Sequence, residues 1–426
     1  MLAKYRFTCL WVVLLLFCLQ SYAQIKQVNS PYSISGIGDM QPTQFSFNRS
    51  MGGISAALRP PLNINYNNPA SYGYLQLTTF ELALQANSLW LQTNQTKTNT
   101  ATGNLSYLAF AFPVSRFWAA SFGLLPFSYL HYDINVFRNL PDIDSVNYRF
   151  IGGGQLYQVY VGNGFKFKGF SAGANIGYVF GTQTRQLRET FPALDNVFGN
   201  LRTQDIFPRG FVWNTGIQYN VKLAKKLSLT IGASGNAGIN LNSTQNTRWE
   251  RAQVANDRIN VIDTLYLTED EKGTIKLPAK LTAGFAFQGS GKSQWVAGAD
   301  ITIEPWENFR FYDQPDSTFT NNTRFATGFS VLPDARIFNS FWKSTTYSAG
   351  FYYQTGKFKI NNTQLPEWAI TLGVGMPLKR VNSRLNFSVE IGQRGSLKNN
   401  LIRETNMQAT FGFTLNDKWF IKRKYD

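Results

Sequence analysis

Hydrophobic and polar residues alternate with a period of two along most of this chain. Between Leu229 and Leu241 the odd positions are apolar or small, and the even positions are small or polar. Successive side chains of a β-strand point to opposite faces, so such a segment predicts a strand with one apolar and one polar face. Helical spacing is not evident in this region, and no later stretch is long and apolar enough to predict a transmembrane helix.

The alternation recurs in fourteen segments of the sequence. We predict strands at residues 78–92, 104–112, 118–130, 153–165, 170–181, 211–221, 228–241, 277–287, 295–303, 323–332, 345–355, 368–376, 385–391 and 405–415. A soluble sandwich buries its apolar faces, whereas a membrane barrel turns them to lipid and keeps a polar lumen. An even strand number is typical of single-chain bacterial barrels. The predicted fold is all-β, a 14-stranded antiparallel transmembrane β-barrel.

The connections between these strands alternate in length. The short ones are 113–117, 166–169, 222–227, 288–294, 333–344 and 377–384, and the others include the long 131–152, 182–210, 242–276 and 304–322. Outer-membrane barrels have short periplasmic turns and longer external loops. The pattern therefore predicts the outer membrane of a Gram-negative bacterium, with both termini in the periplasm.

The composition is compatible with a barrel although the chain is not very hydrophobic. Hydrophobic residues make up 43% of the sequence, and the mean hydropathy is -0.21. Alternation explains these low values, because half of each spanning strand is polar. Aromatic residues make up 15%, which suits girdles at two membrane interfaces.

The N-terminus predicts export. Lys4 and Arg6 precede an apolar run, and Ser21-Tyr22-Ala23 is a small-residue cleavage site. The predicted organisation is a signal peptide at 1–23, an irregular N-terminal segment at 24–73, the barrel at 74–416 and a basic periplasmic C-terminal tail at 417–426. Both cysteines precede the cleavage site, so we expect neither a disulfide nor thiol chemistry in the mature chain.

Positive charge concentrates in the short turns of a chain whose net charge is +16. The predicted periplasmic basic rim comprises Lys166, Lys168, Lys225, Lys226, Lys379, Arg380 and Arg384. One interpretation is contact with anionic headgroups of outer-membrane lipids. The other is a docking surface for an acidic periplasmic protein. Nucleic acid is not an expected partner, because the chain is exported and lacks a basic-aromatic binding module.

The sequence offers little for catalysis. His131 is the only histidine, and no nucleophile-elbow pattern accompanies it. With one histidine and no mature cysteine, a transition-metal site is not expected. Glycine-rich segments occur, but none opens a helix after a strand as a nucleotide loop does. We therefore predict no enzyme activity, no catalytic residues, no metal and no cofactor.

A short motif precedes the first predicted strand. The run Arg49-Ser50-Met51-Gly52-Gly53-Ile54-Ser55-Ala56, followed by Asn68-Pro69-Ala70, resembles the start of the FadL-type long-chain fatty-acid transporter family. The hatch-motif residues are Arg49, Gly52, Gly53, Asn68, Pro69 and Ala70. Ser30-Pro31-Tyr32 and the basic C-terminal tail depart from typical members. They look more like a divergent branch, some of whose barrels are subunits of secretion or assembly machines.

The resemblance implies a mechanism. In the family, the N-terminal segment is a hatch inside the barrel, and hydrophobic ligand leaves sideways where strand three is kinked. Here strand three contains Leu125, Pro126 and Phe127. Proline cannot donate to a strand ladder, so the chemistry predicts a break in pairing near Pro126. Two interpretations stay open: a lateral opening in the membrane, or a harmless break above it in water.

The polar face of the predicted strands carries a few charges. They are Glu81, Asp300, Arg324 and Glu390, and we expect them to pair with lumen or hatch groups. Glycines on the same face would leave room for a plug.

Two functions follow from these observations. The first is passage of hydrophobic, fatty-acid-like small molecules through a plugged barrel with lateral exit. The alternative is a non-transporting barrel subunit of a secretion or barrel-assembly complex. The hatch motif and Pro126 favour the first, and the basic rim and atypical termini favour the second. Expected partners are outer-membrane lipids, a hydrophobic ligand and, for the alternative, other envelope proteins.

Overall fold

The computed structural model describes residues 30–141, 144–192, 194, 197–255, 258–335, 340–378 and 382–419. The predicted signal peptide, most of the predicted basic tail, Lys379 and Arg380 lie outside these ranges. No helix in the described part of the chain is long and apolar enough to cross a membrane.

The described residues form a closed antiparallel barrel with fourteen wall positions. The strands are β1 (Asp39–Met40), β2 (Thr78–Gln92), β3 (Lys97–Pro113), β4 (Trp118–Tyr129), β5 (Tyr132–Leu140), β6 (Asp144–Phe167), β7 (Phe170–Thr190), β8 (Gly199–Ala224), β9 (Leu227–Asn236), β10 (Ile239–Ala255), β11 (Arg258–Leu277), β12 (Lys280–Gly289), β13 (Gln294–Glu304), β14 (Arg310–Phe311), β15 (Gln314–Pro315), β16 (Asn322–Leu332), β17 (Thr346–Gln354), β18 (Lys359–Ile360), β19 (Thr363–Gln364), β20 (Glu367–Pro377), β21 (Arg384–Arg394) and β22 (Arg403–Asp417). Three wall positions each combine two strands in sequence: β4 with β5, β9 with β10, and β11 with β12. The first and last wall strands close the barrel, from Thr78 opposite Asp417 to Gln92 opposite Arg403.

Helices are few and short. They are α1 (Ser46–Arg49), α2 (Phe341–Ser344) and 3-10 turns at Pro31–Ile34, Pro69–Tyr74, Trp306–Asn308 and Lys398–Asn400. The predicted all-β fold and strand number are confirmed.

The alternation sorts side chains as predicted. Phe211, Ile370 and Leu84 face outward and are 71%, 51% and 54% exposed. Thr371, next to Ile370, is buried on the inner face. Large apolar side chains exposed all around a barrel, with polar groups inside, are the arrangement of a barrel that lies in lipid.

Three of the predicted long loops are strands. Residues 144–152, 182–190, 199–210, 242–255 and 258–276 continue the wall strands as long hairpins with regular pairing. Above the membrane both faces of a hairpin meet water, so no apolar face is required. The period-two signal therefore fades although the strands do not end. We call this side of the barrel the long-hairpin end, and the opposite side the short-turn end.

The described part of the N-terminal segment, residues 30–77, lies inside the barrel and is mostly irregular. It contacts the inner face at widely separated wall positions, where glycines leave room for it. These glycines are Gly164 against Pro69, Gly232 against Ala56, Gly328 against Met51, Gly373 against Ser50 and Gly412 against Ser46. We refer to this segment as the plug.

The plug begins at the long-hairpin end. Ser30 contacts Glu404, close to the start of β22, whereas Asp417 pairs with Thr78 at the short-turn end. The first described residues therefore lie at the long-hairpin end, and the periplasmic location of both termini stays a prediction. Residues 24–29 and 420–426 lie outside the described ranges.

We expect Gly232→Val to destabilise the folded barrel, because a side chain there would collide with the Ala56 backbone of the plug. Overpacking of this kind costs about 1–3 kcal/mol. The measurement is the temperature at which the purified protein loses its compact, heat-modifiable form in detergent. Gly153→Val is the matched control, because nothing lies within 4 Å of a side chain placed there. Equal melting of the two variants would contradict the packing described here.

Candidate functional site: a polar lumen behind a break in the wall

Charged side chains of the wall hold the plug by its backbone. The Asp300 carboxylate accepts hydrogen bonds from the backbone N–H groups of Ser55 and Ala56, at 2.6 and 2.9 Å. Arg324 donates to the carbonyl of Gly52 at 3.0 Å. On the far side of the barrel, Glu81 accepts from the backbone N–H of Ile64 at 2.8 Å.

The fourth predicted lumen charge is partnered as well. Glu390 accepts a hydrogen bond from the Tyr352 hydroxyl at 2.8 Å. The expectation that the lumen charges pair with lumen or plug groups is confirmed for all four.

The hatch-motif residues occupy the centre of this arrangement. Arg49 is buried and donates to Gln85 at 3.0 Å and to Thr410 at 3.3 Å, which ties α1 to the wall at β2 and β22. Gly52 and Gly53 have φ values of +67° and +78°, a region that favours glycine. The motif glycines therefore allow the tight turn that follows α1.

The Asn68-Pro69-Ala70 part of the motif has a separate role. Asn68 is extended, as expected before proline, and its side-chain oxygen accepts from the backbone N–H of Ala70 at 3.1 Å. Its amide nitrogen donates to the carbonyl of Ala56 at 2.6 Å. Asn68 therefore starts one turn of the plug and fastens it to another.

Side-chain amides of the wall were not singled out by the sequence. Asn175 and Asn214 each donate to a plug carbonyl at 2.9 Å, on Tyr66 and Asn67. Gln218 and Gln183 do the same at 2.9 Å, on Ala56 and Ile37. The only signal for them is an Asn or Gln on the polar face of a strand. Because buried polar groups require partners, these amides replace the water that an open lumen would supply.

An ionic latch fixes the start of the plug at the long-hairpin end. Arg394 makes two hydrogen bonds to Asp39, both of 3.0 Å, and one of 2.7 Å to Glu404. Ser30 donates to Glu404 at 2.7 Å. Burial by itself raises the pKa of Asp39, but the Arg394 guanidinium outweighs it and holds that pKa below its usual range. Arg394 therefore joins Asp39 of β1 to Glu404 of β22, and Ser30 is hydrogen-bonded to the same Glu404 carboxylate.

A cavity of about 470 Å³ lies between the plug and the long-hairpin end. Much of its wall is polar, including Asn87, Thr102, Asn104, Gln158, Asn214 and Gln354. A buried aromatic cluster of Trp306, Phe309, Phe319 and Phe358 packs at the long-hairpin end.

Lys357 lies where the aromatic cluster meets the cavity. Its ammonium is 4.7 Å from the centre of the Trp306 ring and 5.0 Å from that of Phe358. Burial lowers its pKa, and the nearby Asp39 carboxylate opposes this effect.

The wall is interrupted beside the cavity, at the position of Pro126. β3 and β4 pair only between Leu108–Leu124 and Pro113–Ala119. Leu125 and Phe127, on either side of Pro126, are only 2% and 7% exposed. The ladder from β4 to β6 also slips in register between Pro126 and Ser128. The break in pairing that proline predicts is present.

A strand of the plug takes the place of β3 on the edge of β4. Asp39 and Met40 of β1 pair with Tyr129 and Ser128. The upper half of β3, Thr98–Tyr107, pairs with β2 and has no other strand partner among the described residues. Opposite it on β2, Leu84 and Trp90 point outward and are exposed. The break therefore lies at the depth of the lipid-facing apolar band.

The basic rim is divided by the structure. Lys168, Lys225 and Lys226 lie at the short-turn end, where the last two are exposed in a turn. Lys166 instead points inward, with its ammonium 5.0 Å from the centre of the Tyr74 ring of the plug. Arg384 donates to Thr346 at 2.7 Å and to Gly375 at 3.2 Å, so it belongs to the inner wall.

Solved structures with a similar fold include two toluene transporters and a FadL homologue. The toluene transporter TbuX of Ralstonia pickettii is 15% identical, with a TM-score of 0.56, over 88% of this chain and 99% of that one. The toluene transporter TodX of Pseudomonas putida is 15% identical, with a TM-score of 0.56, over 90% and 100%. A FadL homologue of Pseudomonas aeruginosa is 10% identical, with a TM-score of 0.56, over 88% and 98%.

The fold is therefore that of a FadL-type outer-membrane barrel. The family model BamG matches residues 4–426, almost the entire sequence. This chain belongs to the BamG family. None of the curated proteins matches the chain at a significant level.

We expect Arg394→Met to release the start of the plug, because it leaves the Asp39 and Glu404 carboxylates buried without their cation. Breaking a buried ion pair in this way costs about 3–5 kcal/mol. The measurement is backbone amide exchange of residues 30–41, which should become faster. Arg248→Met is the control, because Arg248 contacts Asp205 at 3.5 Å on an exposed hairpin. Such surface pairs contribute about 0–1 kcal/mol. Unchanged exchange in Arg394→Met would show that the latch does not hold the plug.

Proposed function

We propose that this protein is a plugged, FadL-type barrel that serves as a non-transporting subunit of an outer-membrane protein secretion or barrel-assembly complex. The observation that carries the proposal is the attachment of the plug to the wall. Asp300, Arg324, Asn68, Arg49 and the wall amides hold it on all sides. Membership of the BamG family over the whole chain supports it.

The chemistry of the lumen supports the same conclusion. A conduit for hydrophobic molecules presents apolar walls along its length, as ligand pockets generally do. Here the cavity lining mixes amides, hydroxyls and charged groups with apolar side chains such as Phe127, Val212 and Trp306, and an apolar ligand beside the polar groups would displace water without replacing its hydrogen bonds. The buried aromatic cluster packs at the long-hairpin end against the start of the plug, at Tyr32 and Ile37.

A subunit works through its surfaces, and the short-turn end offers one. Lys168, Lys225 and Lys226 project there without a carboxylate within salt-bridge distance among the described residues. A cluster of one sign of charge attracts an oppositely charged surface and accelerates its association. We infer that this basic surface docks an acidic envelope protein on the periplasmic side.

The test is native mass spectrometry of the protein extracted gently from its own outer membrane. We expect a stoichiometric complex with other envelope proteins, and we expect the double substitution Lys225→Glu and Lys226→Glu to weaken it. Lys359→Glu with Lys398→Glu is the control, because both lysines are exposed at the opposite end of the barrel. A lone barrel that carries a lipid-like mass would refute the subunit proposal.

A second candidate function is passage of hydrophobic small molecules with lateral exit. The break in the wall at Leu125, Pro126 and Phe127 favours it, because the cavity reaches the break at Phe127 and Thr102. The architecture of the toluene transporters TbuX and TodX supports it as well. In this candidate, Lys357 faces the ligand from the aromatic end of the cavity, and a ligand with an apolar body and an anionic group fits best.

For this candidate we expect Pro126→Val to reduce passage of a hydrophobic probe, because valine restores a backbone donor and favours continuous pairing. The measurement is uptake of a radiolabelled long-chain fatty acid, and separately of toluene, by cells that depend on this barrel. Pro113→Val is the control, because Pro113 lies at the paired end of β3. Equal uptake in the two variants and the unsubstituted protein would eliminate lateral passage.

A further inference from the structure

The upper half of β3 is an open sheet edge at a depth where lipid cannot satisfy it. Leu84 of β2, opposite Leu105, and Trp90, opposite Asn99, mark this depth as the apolar band. In hydrocarbon each unsatisfied backbone N–H or C=O group costs several kcal/mol, so open edges do not face lipid. The edge therefore requires water from the cavity or another backbone.

Apart from a register shift at Ser106 in its ladder with β2, the edge lacks the features that protect natural strand edges. Such edges carry charges, prolines or bulges directed away from their neighbours. Between Thr98 and Tyr107 the chain has neither a charge nor a proline. Its exposed outward positions include Asn99, Ala101 and Gly103, which are small enough for a neighbouring strand to approach closely.

The inner face of the same edge has unused hydrogen-bonding capacity. The hydroxyls of Thr100, Thr102 and Ser106 are buried and have no hydrogen-bond partner in the described part of the structure. The side chains of Thr102 and Ser106 are at least nine-tenths buried. Cross-strand hydroxyl and amide pairs are the usual partners of such groups in a sheet.

The strand that would normally cover this edge is held elsewhere. The corresponding part of β4 pairs with β1 instead. The backbone carbonyl of Phe127 accepts a further hydrogen bond from the backbone N–H of Gln41 at 2.9 Å. Among the described residues, β5 pairs only with β6. As long as the plug keeps these contacts, β3 has a vacant edge.

We propose that β3 between Thr98 and Tyr107 receives an extended strand from another outer-membrane protein, by β-strand addition. The incoming segment alternates apolar and polar side chains. Its apolar residues face lipid beside Ala101 and Gly103, and its polar residues face the hydroxyls of Thr100, Thr102 and Ser106. This is the pattern of a barrel strand that is itself unpaired. The inference rests on the proposed subunit function and names the place and chemistry of one contact.

The first test is a cysteine walk in the native membrane. Asn99→Cys, Ala101→Cys and Gly103→Cys each place one thiol on the edge, since Cys9 and Cys18 precede the predicted cleavage site. With a short thiol-directed cross-linker, we expect all three to join one segment of one protein. In the partner protein, the residues that cross-link to the three successive thiols should lie two positions apart along its sequence. Ala283→Cys is the control, an outward alanine paired on both sides, with Ala233 and Ile301, and it should give no such ladder.

The second test needs no substitution. Amide exchange of residues 98–107 should be at least about tenfold slower in the intact complex than in the isolated barrel. Scattered or lipid-only cross-links, a ladder to a second copy of this chain, or equal exchange would each overturn the inference. If no complex is found, the proposed subunit function fails. If the complex forms but β3 remains unprotected, only this inference fails.

Discussion

Every backbone polar group at membrane depth must find its partner within protein or enclosed water, and the architecture of this molecule follows from that constraint. It explains why β2 and β22 close the wall over their full length. It also makes the opening between β3 and β4 informative. Between β3 and β4 the wall is open, and the constraint is met on β4 by the plug strand β1. The plug is therefore a structural part of the wall as well as its contents.

The same constraint shapes the lumen. A barrel of this size would hold water, which satisfies inward polar groups without cost. The plug fills the lumen and removes that water, so each buried carbonyl and N–H group of the plug requires a hydrogen-bond partner within the protein. The wall supplies them with short side chains: Asp300, Asn175, Asn214 and Gln218 reach the backbone that glycines allow to approach. Burial of so many fixed polar partners favours one position of the plug over many.

Much of the wall could be predicted from the sequence, because lipid enforces strict alternation. Large apolar residues such as Phe211 and Ile370 are enough to identify the outward face of their strands. The hairpins above the membrane could not be predicted, because both of their faces meet water and Thr203 or Gln245 carries no periodic signal. Pro126 located the break correctly, since the absence of a backbone donor is a property of the residue. The pairing of β1 with β4 could not be found in this way. Asp39-Met40 is too short to alternate, and its partner lies about ninety residues away in sequence. The Arg394 latch could not be predicted either. The charge of Arg394 alone does not reveal which carboxylates lie beside it in the fold.

The position of the plug and the state of the wall are linked through one strand edge. β4 has two edges. One pairs with β6, and the upper part of the other can serve either β1 or β3, but not both. The Arg394 contact to Asp39 lies on β1 itself, so the latch that fixes the plug also keeps β4 away from β3. If β1 withdrew, β4 could rejoin β3, and the vacant edge would disappear together with the break. A fixed plug and an available β3 edge are therefore one state of the molecule. A protein that uses this edge to hold a partner gains from a plug that does not move, whereas a transporter must give up these contacts in each cycle.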